Sequence, residues 1–339
     1  MKNTFSDAVL ESTGDARDRT EEIRTCLLEK GVCILSPGVY FVSGIRMPEG
    51  SCLMGSGDES LLVLAEDVKE GCAVYLASYC RVSDLALTGH EGKFPRPEKV
   101  GARHGVGFLG TCDQKDGGSG IRHCMLRGLR IRNFSGGGVF CWNTGYNIEC
   151  SMTASDLRIH GCGVGVWIAR FSEYHHFIGV HANRNLYGCI NCGGNNVFSA
   201  SSFDGNTTGF LIDNSRKQSP NCAHGTALGC TFNHSDSGRG TGIRVLGAEN
   251  GFLFTDCQCF ASGIEVENSR GIQFVNFNLG KGQEIEVRGG GLVRFSGCVF
   301  GDEPVFRFLD AQAVVLENCY DRNGNPVRIP ENEEQGGEE

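Results

Sequence analysis

The chain has 339 residues and a formal net charge of −9, with 40 acidic and 31 basic side chains. This acidic balance disfavours a nucleic-acid-binding protein, because such proteins need clustered Lys and Arg to neutralise phosphates. The sequence has no run of 18 apolar residues, so it predicts no membrane partner. The polar start, residues 1–15, lacks a signal-peptide pattern and favours a cytoplasmic protein, with a secreted protein or a phage-particle component as alternatives.

The first predicted element is an amphipathic helix over residues 15–30, which Gly31 ends. Its apolar residues recur at a helical spacing and share one face: Ile23, Cys26 and Leu27. Short apolar runs separated by turn residues follow it. We expect this helix to cover the apolar end of the structure that comes after it.

From Leu129 to Tyr320 the chain repeats one pattern of short apolar runs separated by turns of small residues. Aligning the copies places nine residues in one column at intervals of 20 to 29 residues: Leu129, Leu157, Ala182, Phe203, Phe232, Cys257, Phe277, Cys298 and Cys319. A period of about 20 to 30 residues is typical of a solenoid, in which each unit buries its apolar face against its neighbours.

The composition of the repeat selects the class of solenoid. It is rich in Gly, Asn, Ser, Phe, Val and Cys, and it lacks both long helix-forming segments and a recurring leucine frame. Residues 264–267 and 284–288 alternate apolar and charged side chains, as strands with one buried face do. The sequence therefore predicts an all-β protein, a parallel β-helix with two or three short strands per coil.

The order of elements at the N terminus resembles a known superfamily. A helix and an apolar strand are followed by Pro37-Gly38-Val39-Tyr40, a further strand, and Leu53-Met54-Gly55-Ser56-Gly57. This order is similar to the cap and first coils of pectate-lyase-like proteins. The resemblance implies a right-handed parallel β-helix with an N-terminal capping helix, an activity on carbohydrates, and a homotrimer as one assembly to test.

The chain is expected to form one elongated domain. Residues 1–60 are assigned to the cap and first coils, 61–330 to the β-helix, and 331–339 to an acidic disordered tail. The 18 cysteines are interpreted as reduced thiols packed in the coil interior, with disulfides as the alternative. The spacing of Cys189 and Cys192 lacks a second matching pair, so neither a metal site nor a cofactor is predicted.

Three insertions interrupt the coils, at residues 89–118, 213–225 and 233–241. Insertions do not disturb the stacking of a solenoid, and they commonly border its binding face. Because the second and third insertions interrupt adjacent coils, we expect them to form one wall of a groove.

The densest polar cluster of the chain covers residues 170–185. Cleavage of a sugar polymer needs a carboxylic acid and a base, or a base with a cation that holds developing charge. The predicted catalytic residues are Glu173, Asp204, His175 and His181. The predicted substrate-binding residues are Arg158, Arg170, Tyr174, Arg184, Asn183, Arg216 and His224.

Position in the repeat places some of these side chains together. Arg158, Asn183 and Asp204 are expected to point outward on adjacent coils about 4.8 Å apart and to form one polar strip. A solvated sheet surface without function would look similar. Trp142 and Trp167 are either core residues or rings that stack on sugars.

The sequence thus predicts an enzyme that cleaves or rearranges a polysaccharide or oligosaccharide by acid/base chemistry. Hydrolysis, elimination and transfer all stay open. The alternative is a non-catalytic glycan-binding or structural β-helix, such as a phage tail-fibre component.

Overall fold

The computed structural model describes residues 8–90, 99–110, 120–143, 151–217, 222–233, 240–260, 262–280, 283–301, 304–309 and 313–329. Most of the first and third predicted insertions and all of the predicted tail lie outside these residues. Within them the chain forms one α-helix and 32 β-strands. Strands of successive coils pair in parallel along the whole chain. The predicted fold class, a parallel β-helix, is confirmed.

Three strands per coil give the helix three faces, and two long strands bend from the first face onto the second. The strands of the first face are Val9–Leu10, Val32–Leu35, the first part of Cys52–Leu64, the first part of Arg81–Thr88, Cys124–Arg127, Met152–Ser155, His175–Ile178, Asn196–Ser199, Gly225–Leu228, Phe252–Thr255, Ile272–Val275, Leu292–Ser296 and Ala313–Glu317.

On the second face two coils have no strand and pair through a single residue each, Ser202 and Thr231. Its strands are Gly38–Val42, the ends of Cys52–Leu64 and Arg81–Thr88, Arg130–Arg132, Arg158–His160, His181–Asn183, Gln258–Cys259, Asn278–Leu279, Val299–Phe300 and Tyr320–Asp321. The third face contains Ile45–Arg46, Gly71–Tyr75, Arg103–Gly110, Gly137–Asn143, Val164–Ile168, Tyr187–Asn191, Thr208–Asp213, Thr241–Leu246, Gly263–Glu267, Glu284–Arg288 and Val305–Leu309.

One residue in the left-handed conformation separates the first face from the second in ten coils, with φ between 48° and 64°: Asp84, Gly128, Asp156, Gly179, Ala200, Gly229, Asp256, Asn276, Gly297 and Asn318. Its backbone N–H donates to a carbonyl of the next coil, as Asp156 does to Ile178 at 3.1 Å. A side chain opposes positive φ, which is why Gly, Asn and Asp dominate these positions.

The nine residues predicted to form one column lie in two neighbouring interior rows. Arg130 pairs with Arg158, and Arg158 pairs with His181, so Leu157 aligns with Val180 and not with Ala182. Ala182, Phe203 and Phe232 are two positions further along their strands than the other six. All nine are buried. A slip of two residues keeps the side chain on the same face, so the alternating pattern did not reveal it.

The interior of the later coils is largely an aromatic stack. The rings of Phe254 and Phe274 lie 5.0 Å apart and nearly parallel, and those of Phe274 and Phe295 lie 4.7 Å apart. The 16 described cysteines are free thiols, and 11 of them belong to the same buried core. The chain thus fills its coils with rings and small thiols.

The predicted N-terminal helix is shorter than expected. It spans Thr20–Lys30 and ends at Gly31, and its buried residues Ile23 and Leu27 belong to the core. Asp18 instead bridges to Phe41, which holds the preceding residues against a strand. None of the described helices is long and apolar enough to cross a membrane.

Candidate active site

A cleft of about 460 Å³ lies on the outer side of the third face. Its floor is a row of outward side chains from successive coils, in which Trp167 pairs with Ile190 and Ile190 pairs with Leu211. Trp142 and Tyr187 also line it. The outward row is apolar here, unlike a solvated sheet face, so this part of the surface presents rings and aliphatic side chains to whatever enters the cleft.

The aromatic floor is ordered by ring contacts. Phe140 meets the ring of Trp167 edge-on at 5.2 Å and stacks on the His104 imidazole at 3.9 Å. The backbone N–H of Gly137 donates to Nδ1 of His104 at 2.8 Å, so the proton of the neutral ring is on Nε2. Burial lowers the pKa of His104 to about 4. His104 is therefore neutral at pH 7 and offers Nε2–H as a donor.

The wall of the cleft is polar and lies where the third face turns toward the first. Arg170, Asp213, Asn214 and Arg216 line it. The Asp213 carboxylate accepts a hydrogen bond from the backbone N–H of Ser215 at 2.9 Å. The wall of the cleft therefore carries two basic side chains and one carboxylate, and its floor is aromatic.

Two thiols complete the wall. Burial, with a smaller contribution from the nearby Asp213 carboxylate, raises the pKa of Cys192 to about 12. Burial also raises the pKa of Cys222, with opposing contributions from Glu173 and Arg170. Both thiols are therefore protonated at pH 7, and Glu173 lies close to the wall although it does not line the cleft.

The structure brings some of the predicted site residues to this region. Arg170 and Arg216 line the cleft. Glu173 and Tyr174 lie in the turn that follows Arg170, where Glu173 accepts a hydrogen bond from Asn195 at 3.1 Å. The backbone N–H groups of Tyr174 and His224 both donate to the adjacent Gly193–Gly194 turn, which places these two residues at the edge of the same corner.

The other predicted outward residues lie on the second face, away from the cleft: Arg158, His181, Asn183, Arg184 and Asp204. Arg158 shares a row with His181, whereas Asn183 and Asp204 belong to the next row, so the expected single strip is two rows.

Asp204 is a structural brace in this arrangement. Its carboxylate accepts hydrogen bonds from the hydroxyls of Ser202 and Thr231, the latter at 3.3 Å, and from the backbone N–H of Asn233 at 3.1 Å. A carboxylate that ties two coils together has few lone pairs left for a substrate. The prediction of Asp204 as a catalytic residue therefore has no geometric support.

His175, predicted as a base, is fully buried. Its Nε2 lies 2.8 Å from the Ser172 hydroxyl, and its backbone N–H donates to Asn196 at 3.0 Å. Burial, with a smaller effect of His176, lowers its pKa to about 3. An inward ring cannot reach a ligand on the outer surface, so His175 supports the corner from inside. The neighbouring His176 is exposed.

The sequence alone does not single out Asp213 or Tyr187, and it leaves Trp142 and Trp167 open between a core and a surface role. Both occur in apolar runs because the outward row of these coils is itself apolar. The available signal was the alternation in Leu211-Ile212-Asp213, which puts the carboxylate on the same side as an outward leucine.

The predicted insertions border this face. The first, residues 89–118, is predicted as one loop, but its residues 103–110 form the strand Arg103–Gly110 of this face. The second, residues 213–225, begins at the end of Thr208–Asp213, and the third, residues 233–241, ends at the start of Thr241–Leu246. All three interruptions therefore adjoin strands of the third face. Among the described residues, no three His, Cys, Asp or Glu side chains come together to hold a metal ion.

Solved structures share this architecture. The A-module of the mannuronan C-5 epimerase AlgE4 of Azotobacter vinelandii superposes with a TM-score of 0.65 at 14% identity, covering 94% of each chain. An N-terminal fragment of gene product 12 of bacteriophage Phi29 gives 0.60 at 14% identity, covering 94% of this chain and 66% of that one.

The catalytic domain of a GH87 alpha-1,3-glucanase in complex with nigerose gives a TM-score of 0.55 at 12% identity, covering 92% of this chain and 68% of the other. No protein-family model and no curated protein matches the sequence. These solved structures have in common with this chain the predicted fold, a parallel β-helix.

Proposed function

We propose that the chain is an enzyme that acts on a polysaccharide or oligosaccharide in the cleft of the third face. The observation that carries this proposal is the floor of outward rings, Trp142, Trp167 and Tyr187, beneath a wall with charged side chains. Aromatic rings offer large apolar surfaces to the C–H groups of sugars. The AlgE4 A-module and the GH87 domain, which share this fold, are named for activities on carbohydrates.

The surface near the cleft is long enough for a polymer. A depression of about 540 Å³ includes Ser215, Lys217 and Leu246. Another of about 230 Å³ is lined by two arginines and three glutamates: Arg244, Arg288, Glu265, Glu267 and Glu286. With the cleft, they follow the third face over seven strands, which corresponds to about 30 Å at the spacing of parallel strands. A chain of sugars lying across the coils would contact all three depressions.

The two arginines of the cleft wall favour an acidic sugar at that point of the cleft. Arg170 and Arg216 in the wall match the carboxylate of a uronate, because a guanidinium binds a carboxylate in a bidentate manner. Neutralising that carboxylate acidifies the adjacent C–H, whose proton a base can then remove. We assign Asp213, which lines the cleft, as this base.

Two outcomes follow removal of that proton. In elimination the freed electron pair forms a double bond and expels the glycosidic oxygen from the next carbon, and this oxygen takes a proton from water, which gives an unsaturated product. In epimerisation water returns a proton to the same carbon from the opposite side, which gives an epimer. Hydrolysis is the second candidate reaction, with Asp213 and Glu173 as the two carboxylates that it requires. The position of Glu173 beside the wall supports this second assignment.

The decisive experiment incubates the protein with polymannuronate, polygalacturonate and neutral glucans in D₂O. Absorbance of unsaturated ends reports elimination, deuterium at the carbon next to the carboxylate reports epimerisation, and new reducing ends alone report hydrolysis. We expect activity on a uronate polymer that falls by about a hundredfold in Asp213→Asn. Binding without any product would support the non-catalytic alternative.

Two matched variants locate the site. Trp167→Ala removes a ring from the floor, and Leu228→Ala removes an exposed side chain of the first face. We expect Trp167→Ala to weaken polymer binding by roughly tenfold and Leu228→Ala to have no effect. Equal affinities for the two variants would place the site elsewhere.

The homotrimer that the resemblance suggests stays a prediction. Light scattering on the purified protein determines the molar mass, and a mass equal to that of the 36.6 kDa chain would contradict it.

A further inference from the structure

The second face carries a compact array of basic side chains that the cleft does not use. Arg130, Arg158 and His181 form one outward row on three successive coils, and Arg132 and His160 begin the next row. Adjacent coils are about 4.8 Å apart, and alternate residues of a strand are about 6.6 Å apart. Arg184 directly follows the last strand. These arginine and histidine side chains thus lie close together on the second face.

The charge of this area is only partly compensated. Arg130 forms an ion pair with Asp58 at 3.3 Å. Arg158 and Arg184 are exposed, and neither forms an ion pair with the described residues. We call Arg132, Arg158, His160, His181 and Arg184 the basic array.

The electrostatics of His160 show the same excess of positive charge. Burial lowers its pKa. The basic neighbours lower it further, and they are all members of the array: Arg132, Arg184 and His181. The Asp204 carboxylate, in the row of Asn183, accepts its hydrogen bonds from neutral groups of Ser202, Thr231 and Asn233. Arg158 and Arg184, which have no ion-pair partner among the described residues, therefore contribute two positive charges to this face of a chain whose overall charge is −9.

We propose that the basic array binds a second segment of an anionic polysaccharide and performs no chemistry on it. The identity of the polymer rests on the proposed function, whereas the array itself is independent of the cleft. Guanidinium groups at regular coil spacing match carboxylates that recur along a sugar chain. Such a second contact would retain the polymer while the cleft acts.

The array is better suited to a polysaccharide than to single-stranded nucleic acid. Proteins that hold single strands combine basic side chains with aromatic rings on which bases stack. The outward positions of the array are Arg, His and Asn, and no aromatic side chain of Phe, Tyr or Trp lies among them. Attraction here is therefore to charge alone.

The test measures binding of long polygalacturonate and polymannuronate to the full chain by calorimetry at low salt. The background is Trp167→Ala, which weakens the cleft and leaves the array. In this background we expect the added pair Arg158→Gln and Arg184→Gln to weaken binding about tenfold. Arg130→Gln is the matched control, because Asp58 already neutralises Arg130.

The outcomes separate the two proposals. If Trp167→Ala alone has no effect but the double substitution weakens binding, the array is supported and the cleft is not. If the double substitution binds as well as the Arg130→Gln control, the array proposal is overturned. Tighter binding of an oligothymidine than of either polymer, lost in the double variant, would overturn the assignment to polysaccharide. Thermal melts confirm that these surface variants are folded.

Discussion

Replacing Asn206 by Ala removes three hydrogen bonds that join two coils beneath the cleft. The Asn206 carbonyl oxygen accepts from the backbone N–H of Asn185 at 2.9 Å and from its side-chain amide at 3.0 Å. The Asn206 amide donates to the Ala182 carbonyl at 2.9 Å. Asn206 is only 2% exposed, so water cannot replace these partners.

The expected cost follows from the groups left behind. A buried polar group without a partner costs about 1–3 kcal/mol. The substitution leaves the backbone N–H of Asn185 without its acceptor, and it removes one hydrogen bond each from the Asn185 side-chain amide and the Ala182 carbonyl. We expect the free energy of unfolding to fall by about 2–4 kcal/mol, and Tm by roughly 3–6 °C for a chain of this length.

Calorimetric melts of the variant and of Asn278→Ala check this prediction. Asn278 is exposed on a strand of the second face, so the same change of side chain should cost at most about 0.5 kcal/mol there. Asn185 and Asn206 precede the strands Tyr187–Asn191 and Thr208–Asp213, which carry residues that line the cleft. If both variants melted together, hydrogen bonding by Asn206 would not be what holds these coils in register.

Three further changes probe the interior. Phe254→Ala should destabilise by about 3–5 kcal/mol, because the ring is buried between Phe252 and Phe274, and a denaturant titration that found under about 1 kcal/mol would refute this. A Cβ at Gly188 would lie 2.5 Å from the carbonyl oxygen of Gly209, so Gly188→Ala should cost about 1–3 kcal/mol in the same titration. In the folded chain His104 and His175 have pKa values of about 4 and 3, below their ordinary 6.5. The unfolded chain therefore binds more protons below pH 6.5, and the free energy of unfolding decreases as the pH falls. At pH 5 each contributes a loss of about 2 kcal/mol, and a Tm that stayed constant from pH 7 to 5 would contradict this.

Part of the candidate cleft is accessible from the sequence. The polar cluster of residues 170–185 supplies Arg170 and the second insertion supplies Arg216 as predicted substrate-binding residues, and both line the cleft. Asp204 as the carboxylate and His175 as the base are predicted from acid/base chemistry, yet hydrogen bonds occupy the Asp204 carboxylate and burial keeps His175 from the surface. Sequence position alone gives the residue type but not its partners.

The repeat could be read without coordinates because a solenoid is periodic: each coil must bury an apolar face against the next, and each tight bend needs Gly, Asn or Asp. That requirement appears in every copy, which fixed the β-helix and the inward residues. The cleft depends on something that does not recur. Trp167 in the floor and Asp213 in the wall are 46 positions apart in the sequence. They line the same cleft only because the coils between them have particular lengths. Coil length sets which side chains become neighbours across the face, and a slip of two residues leaves the pattern of burial unchanged. Only the tertiary structure could therefore decide which outward residues meet.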